Sequence, residues 1–165
     1  MSPRQNLENL ADRGSLNREV PNAEAIGNHI AKANNLKADA QKSQDSLDGR
    51  FNNAYAAGHH FLTAALRMKG YRPVEGRGGR SMLYQLLDQL LPGAAGSQAL
   101  LQRVHDLRNR EEYDEPMHIT ERLVSDLIVA VQNVGEEANL QWKRFSRSQE
   151  PPLEKHRRPR GERSR

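Results

Sequence analysis

Phe51-Asn-Asn-Ala-Tyr55-Ala-Ala-Gly58-His59-His60-Phe61-Leu62-Thr-Ala-Ala65-Leu66 is the stretch whose reading decides the fold. Phe51, Ala54, Tyr55, Gly58, Leu62, Ala65 and Leu66 recur three and four residues apart, the spacing of a helix that buries its faces. Asp48 can cap its start, and Gly70 is placed as a C′ residue with Arg67 and Lys69 in the last turn. The spacing predicts a helix over 49–69. Gly58 falls within the apolar stripe, where a small residue lets another helix come close.

The same period continues in both directions. Upstream, residues 41–48 are polar and rich in Ser and Asp, a linker. Before them Pro21-Asn22 reads as a helix start. Ile26, Ile30, Ala33 and Leu36 form one stripe of an amphipathic helix over 23–40. Leu7 and Leu10 mark a short helix over 4–12. Downstream, Tyr71 to Arg80 reads as a loop, followed by a helix over 81–91 carrying Met82, Leu83, Leu86, Leu87 and Leu90 and ended by Pro92-Gly93. Ser97 is the expected cap of a helix over 98–113, with Leu100, Leu101, Val104 and Leu107 inward. Asp114-Glu115-Pro116 breaks the chain, because proline disfavours a helical residue before it. The long helix expected over 117–145 presents Ile119, Leu123, Leu127, Val131, Val134 and Ala138, with Leu140, Trp142 and Phe145 extending the face and Gly135 as a kink point. No stretch alternates like a strand. The expectation is an all-α bundle of about five helices over residues 1–145, with a basic tail over 146–165 expected to be disordered.

Composition narrows the function classes. The 165 residues include no cysteine, so disulfides and thiolate metal sites are excluded, and a reducing compartment fits. No apolar run approaches bilayer length and the N-terminus lacks a secretory pattern, so a cytoplasmic location is expected. The net charge is +4. Residues 151–165 hold six basic side chains (Lys155, Arg157, Arg158, Arg160, Arg163, Arg165) against Glu154 and Glu162, which is the whole excess. The body is neutral, which argues against broad duplex binding through it. The tail is either an arm that touches nucleic acid or a solubilising end. His59 and His60 point apart on a helix, and with His105 they form no metal-binding spacing. They read as surface or core-edge histidines, with no metal or cofactor expected.

Asp106-Leu-Arg108-Asn109-Arg110-Glu-Glu-Tyr113-Asp114 carries a resemblance. The chain resembles HEPN domains, whose signature is an arginine, a polar residue that is often asparagine, and a histidine after four to six residues. Arg108-Asn109 matches the start, and Tyr113 stands where the histidine belongs. The 51–66 stretch followed by Gly70-Tyr-Arg72, and Leu10-Ala-Asp-Arg-Gly14, are similar to bacterial HEPN-like proteins with an Arg-Asn-Arg-x-x-Tyr variant. The resemblance covers roughly residues 7–140. It implies a helical bundle that dimerises so that two motifs face one cleft, and a metal-independent endoribonuclease. In that scheme Arg108 holds the phosphate, Asn109 positions it, and Tyr113 hydrogen-bonds or stacks on a base. A tyrosine is a poor general base at neutral pH, so the replacement implies weak or lost cleavage. Some members carry a tyrosine that a partner nucleotidyltransferase modifies; the corresponding place here is Glu115.

The expected function is therefore a toxin-type or regulatory module of a bacterial toxin–antitoxin or defence locus. It would bind or weakly cleave RNA, with a minimal nucleotidyltransferase as the kind of antitoxin partner implied and no membrane. The alternative is a non-catalytic protein-interaction or nucleotide-binding module. Arg77, Arg80 and Arg110 are the further candidate nucleic-acid contacts. Gly76-Arg-Gly-Gly-Arg80 is either a backbone phosphate cradle or a flexible surface loop, and no P-loop pattern surrounds it. The bland reading of Arg108, Asn109 and Tyr113 is a helix end tied by Arg–Glu pairs. His59 or His60 could instead supply the missing imidazole from the neighbouring helix.

Overall fold

The computed structural model describes residues 1–111 and 118–151, without the side chains of Arg77 and Glu111. Among these residues the chain forms seven α-helices: α1 (Pro3–Asp12), α2 (Ala23–Ala40), α3 (Leu47–Met68), α4 (Arg77–Gln85), α5 (Leu87–Leu90), α6 (Gln98–Glu111) and α7 (Glu121–Gln149). A 3-10 helix, Pro92–Ser97, joins α5 to α6. No described helix is long and apolar enough to cross a membrane.

Side-chain caps set four helix starts. Ser2 Oγ accepts from Gln5 N at 3.1 Å, Asn22 Oδ1 from Ala25 N at 3.0 Å, Ser46 Oγ from Gly49 N at 3.0 Å and Thr120 Oγ1 from Leu123 N at 3.1 Å. Each satisfies one of the amides left unpaired in a first helical turn. Ser46, not Asp48, therefore starts α3, and Asp48 sits in the first turn, where a negative charge suits the helix dipole. Gly70 closes the other end with φ +89°.

The core is built on α2, α3 and α7. Phe51, Ala54, Ala57, Phe61, Leu62, Ala64 and Ala65 of α3 are buried with Ile26, Ile30 and Ala33 of α2 and with Val124, Leu127, Val131, Val134 and Ala138 of α7. Gly58 approaches Val131 while Phe61 approaches Gly135, so α3 and α7 run parallel. A Cβ on Gly58 would make an ordinary 3.5 Å contact, but one on Gly135 would lie 3.0 Å from the Phe61 ring. Gly135 is thus the tighter packing position, and α7 continues through it as one unbroken helix. Asn34 and Asn139 exchange hydrogen bonds at 2.9 and 3.0 Å between α2 and α7. The face of α7 does not extend through Leu140, which is half exposed.

Other expectations need correction. Two strands are present, β1 (Leu16–Arg18) and β2 (Tyr71–Pro73), paired antiparallel with Asn17 opposite Arg72. Three residues are too few to display a period of two. The Gly76–Arg80 segment is the start of α4 and not a loop. Gly76 takes φ +94°, and a Cβ on Gly79 would overlap the Val74 carbonyl, so the glycines let the chain turn tightly into a helix. The helix expected over 81–91 starts at Arg77 and breaks at Leu86. Ser97 does not cap α6, since the 3-10 helix runs straight into it. Helix α7 continues to Gln149, four residues beyond the point where disorder was expected. Tyr113, the Asp114-Glu115-Pro116 break and residues 152–165 of the tail lie outside the described residues.

Candidate functional site

The end of α6 is where Arg108 and Asn109 lie, and its inward face is not wholly apolar. Leu101, Val104 and His105 are buried along it, His105 at 1 % exposure. Asn109 is one turn after His105, and its Nδ2 lies 3.1 Å from His105 Nε2. Ser81 Oγ of α4 is 3.1 Å from the same nitrogen, and the Tyr55 hydroxyl of α3 is 2.7 Å from Nδ1. With the Asn109 amide as donor, Nε2 accepts and the ring proton resides on Nδ1, which donates to the Tyr55 oxygen. Tyr55 then keeps its own hydroxyl proton for another acceptor.

Aromatic and cationic groups complete the junction. Tyr84 of α4 stacks on His105 with ring centroids 4.4 Å apart, and its buried hydroxyl has no hydrogen-bond partner among the described residues. The Arg108 guanidinium lies over the Tyr55 ring, 4.3 Å from its centroid, a cation–π contact that fixes an otherwise mobile side chain. Arg80 is exposed, one residue before Ser81, and close enough to act electrostatically on His105 and His59.

Burial lowers the His105 pKa; Asp106 opposes this, and the Arg80 and Arg108 charges add to it. His59, one turn after Tyr55, is pushed down to about 4, mainly by burial and then by its positive neighbours. Burial also raises the Tyr84 phenol well above its ordinary value. Imidazoles in such surroundings are neutral at pH 7. The junction therefore presents the Arg108 guanidinium, a phenol and an amide in front of a neutral imidazole, with the exposed Arg80 charge in its vicinity.

The structure sorts the sequence-derived candidates. It brings Arg108, Asn109 and Arg80 to one junction. Arg110 is elsewhere: at 100° per residue it is ~160° around α6 from Arg108. It lines an open groove with Ala99, Gln102, Arg103, Asp106 and Leu107. Tyr113 and the Arg77 side chain lie outside the described residues. His60 pairs with His29 of α2 instead of reaching Asn109. Sequence reasoning missed Tyr55, Ser81 and Tyr84 and underrated His105. The signal for His105 was its place in the inward stripe with Leu101 and Val104, four residues before Asn109; nothing local marked Ser81. Among the described residues no group of three or more His, Cys, Asp or Glu side chains is placed to hold a metal ion. No family model, curated protein or solved structure matches the chain.

Proposed function

We propose that the chain is a HEPN-like, RNA-binding regulatory or toxin-type module that grips phosphate at the α3–α4–α6 junction. The observation that carries this reading is the convergence of Arg108, Asn109 and Arg80 beside Tyr55 and His105. Arg108, held on Tyr55, offers its guanidinium to a phosphate; Asn109 positions it; Arg80 adds an exposed charge. His105 acts as a positioning residue, because both ring nitrogens are engaged and the ring is buried. That engagement favours binding over turnover, and cleavage, if any, is weak and metal-independent. In the same reading the module pairs with a second copy and answers to an antitoxin such as a minimal nucleotidyltransferase.

The test is fluorescence anisotropy with single-stranded RNA across a salt series, beside a cleavage assay with and without EDTA. Salt-dependent binding that weakens in Arg108→Ala and Arg80→Ala is expected. Absence of binding at low salt, or equal binding by both variants, would discard the RNA reading in favour of a protein-interaction module.

A further inference from the structure

His29 of α2 and His60 of α3 meet between the two helices, and each is half-buried. His60 is ~140° around α3 from Tyr55, so the pair stands apart from the α3–α4–α6 junction. The two Nδ1 atoms are 3.0 Å apart, with ring centroids at 5.2 Å and planes inclined at 36°. One Nδ1 carries a proton and donates it to the other, which leaves both Nε2 atoms outside the bond. Lys32 lies one turn after His29 on α2, and Arg67 two turns after His60 on α3, so each shares a helix face with its histidine. Arg67 comes only within 3.8 Å of the Glu19 carboxylate, and its buried Nε has no hydrogen-bond partner among the described residues. We propose that His29, His60, Lys32 and Arg67 form a site for a doubly charged tetrahedral oxyanion, free phosphate or a phosphate monoester, which the imidazole pair grips by taking up one proton.

The proton has one place to go. The donor ring holds its hydrogen on Nδ1, so its Nε2 lone pair can take another from solvent. The bond between the rings survives and becomes charge-assisted, and both Nε2 atoms then carry N–H donors. A second proton would break that bond and set two like charges together, so uptake stops at one. The imidazolium, Lys32 and Arg67 then stand against the single carboxylate of Glu19, which leaves two positive charges for a dianion.

The surroundings keep the pair neutral until the anion arrives. Burial lowers the pKa of His29, followed by the charges of His60, Arg67 and Lys32; burial lowers that of His60, followed by Lys32. His59 faces His60 edge-on, with centroids 5.8 Å apart, and its pKa of about 4 keeps it neutral. A bound oxyanion offsets the Lys32 and Arg67 charges, so anion and proton favour each other's binding.

The full chain is titrated with sodium sulfate at pH 8 and pH 6 at constant ionic strength, and the imidazole signals are followed by NMR. Sulfate keeps two charges over this range, so any pH dependence belongs to the protein. A saturable shift at His29 and His60 is expected. Its affinity should rise as pH falls, by up to about tenfold per pH unit, the limit for one coupled proton. Lys32→Gln, a change at an exposed position, should weaken binding about tenfold. His29→Gln should remove the pH dependence, and Arg108→Ala should change nothing. Inorganic phosphate and a nucleoside 5′-monophosphate should displace sulfate; a short RNA without terminal phosphates, which holds only singly charged diesters, should do so less well per phosphate. No saturable shift at pH 6, equal affinity at both pH values, or equal affinity in Lys32→Gln overturns the proposal. So does loss of the shift in Arg108→Ala, which would put the anion at the junction. Equal displacement by the RNA overturns the choice of a dianion.

Discussion

Phe61 and Tyr55 stand on the same helix and face opposite kinds of surroundings. Phe61 points into the α3–α7 seam, where its ring is fully buried against Gly135 and the Lys37 ammonium of α2 lies 6.0 Å from its centroid. Tyr55 points into the α3–α4–α6 junction, where it meets His105, Tyr84 and Arg108. The seam is close-packed and largely apolar, the type of contact that supplies folding free energy. The junction buries polar groups, each of which must be satisfied or it weighs against the fold. The Tyr84 hydroxyl goes unpaired among the described residues. A fold that buries polar groups in one place beside a largely apolar seam concentrates its apolar stabilisation in the seam.

The largest effect should come from opening the seam. Phe61→Ala removes a fully buried ring and leaves a cavity beside Gly135; a loss of ~3–5 kcal/mol is expected in urea unfolding. Restoring volume in the Phe61→Ala/Gly135→Leu double variant should recover part of it, and the double-mutant cycle reads the coupling. A Phe61→Ala loss below ~1 kcal/mol would mean that the seam does not carry the stability assigned to it.

His105→Ala comes next. It takes away a buried ring and strands Tyr55, Ser81 and Asn109, so a loss of ~2–3 kcal/mol is expected. The contrast is sharpened by His105→Phe, which restores packing without the hydrogen bonds. If the phenylalanine variant is as stable as the unaltered chain, the junction's polar contacts add nothing net.

Arg108→Ala should leave stability nearly unchanged and weaken RNA binding about tenfold, the ~1.4 kcal/mol of one lost charge-assisted contact. Arg110→Ala, on the far face of α6, should weaken it by less than about threefold. Equal losses in the two variants would show that the chain binds RNA by diffuse charge and not through the junction.

How much of this could be read from the sequence follows the same division. The seam was legible because apolar spacing reports helix faces directly: Ile26, Ile30 and Ala33, and Leu127, Val131 and Val134, all lie where their spacing placed them. What failed there was local. Gly135 read as a kink point because the sequence does not show the Phe61 ring that occupies its open side. The junction was half legible. Arg108 and Asn109 stand together in the sequence, but Tyr55, Ser81 and His105 are 26 and 24 residues apart and meet only through the packing of three helices. Arg80 was singled out for a loop that turned out to be the first turn of α4. Its placement beside the histidine depends on Gly76 and Gly79 turning the chain, which residue type alone does not announce.

The smallest effect is expected in pH dependence. His59, His105, His29 and His60 all have folded-state pKa values below the unfolded histidine's ~6.5. Below that pH the unfolded chain takes up protons that the folded one refuses, so stability falls as pH drops. The loss begins near pH 6.5 and levels off for His59 near its folded value of about 4. The urea midpoint should therefore decline from pH 7 to pH 5. His59→Gln removes a histidine held down to about 4, so its midpoint should change less over that range. An unchanged slope in His59→Gln would mean that water reaches the imidazole in the folded chain. The polar junction would then be open to water on its α3 side, and the contrast with the apolar α3–α7 seam would extend to hydration as well as to residue type.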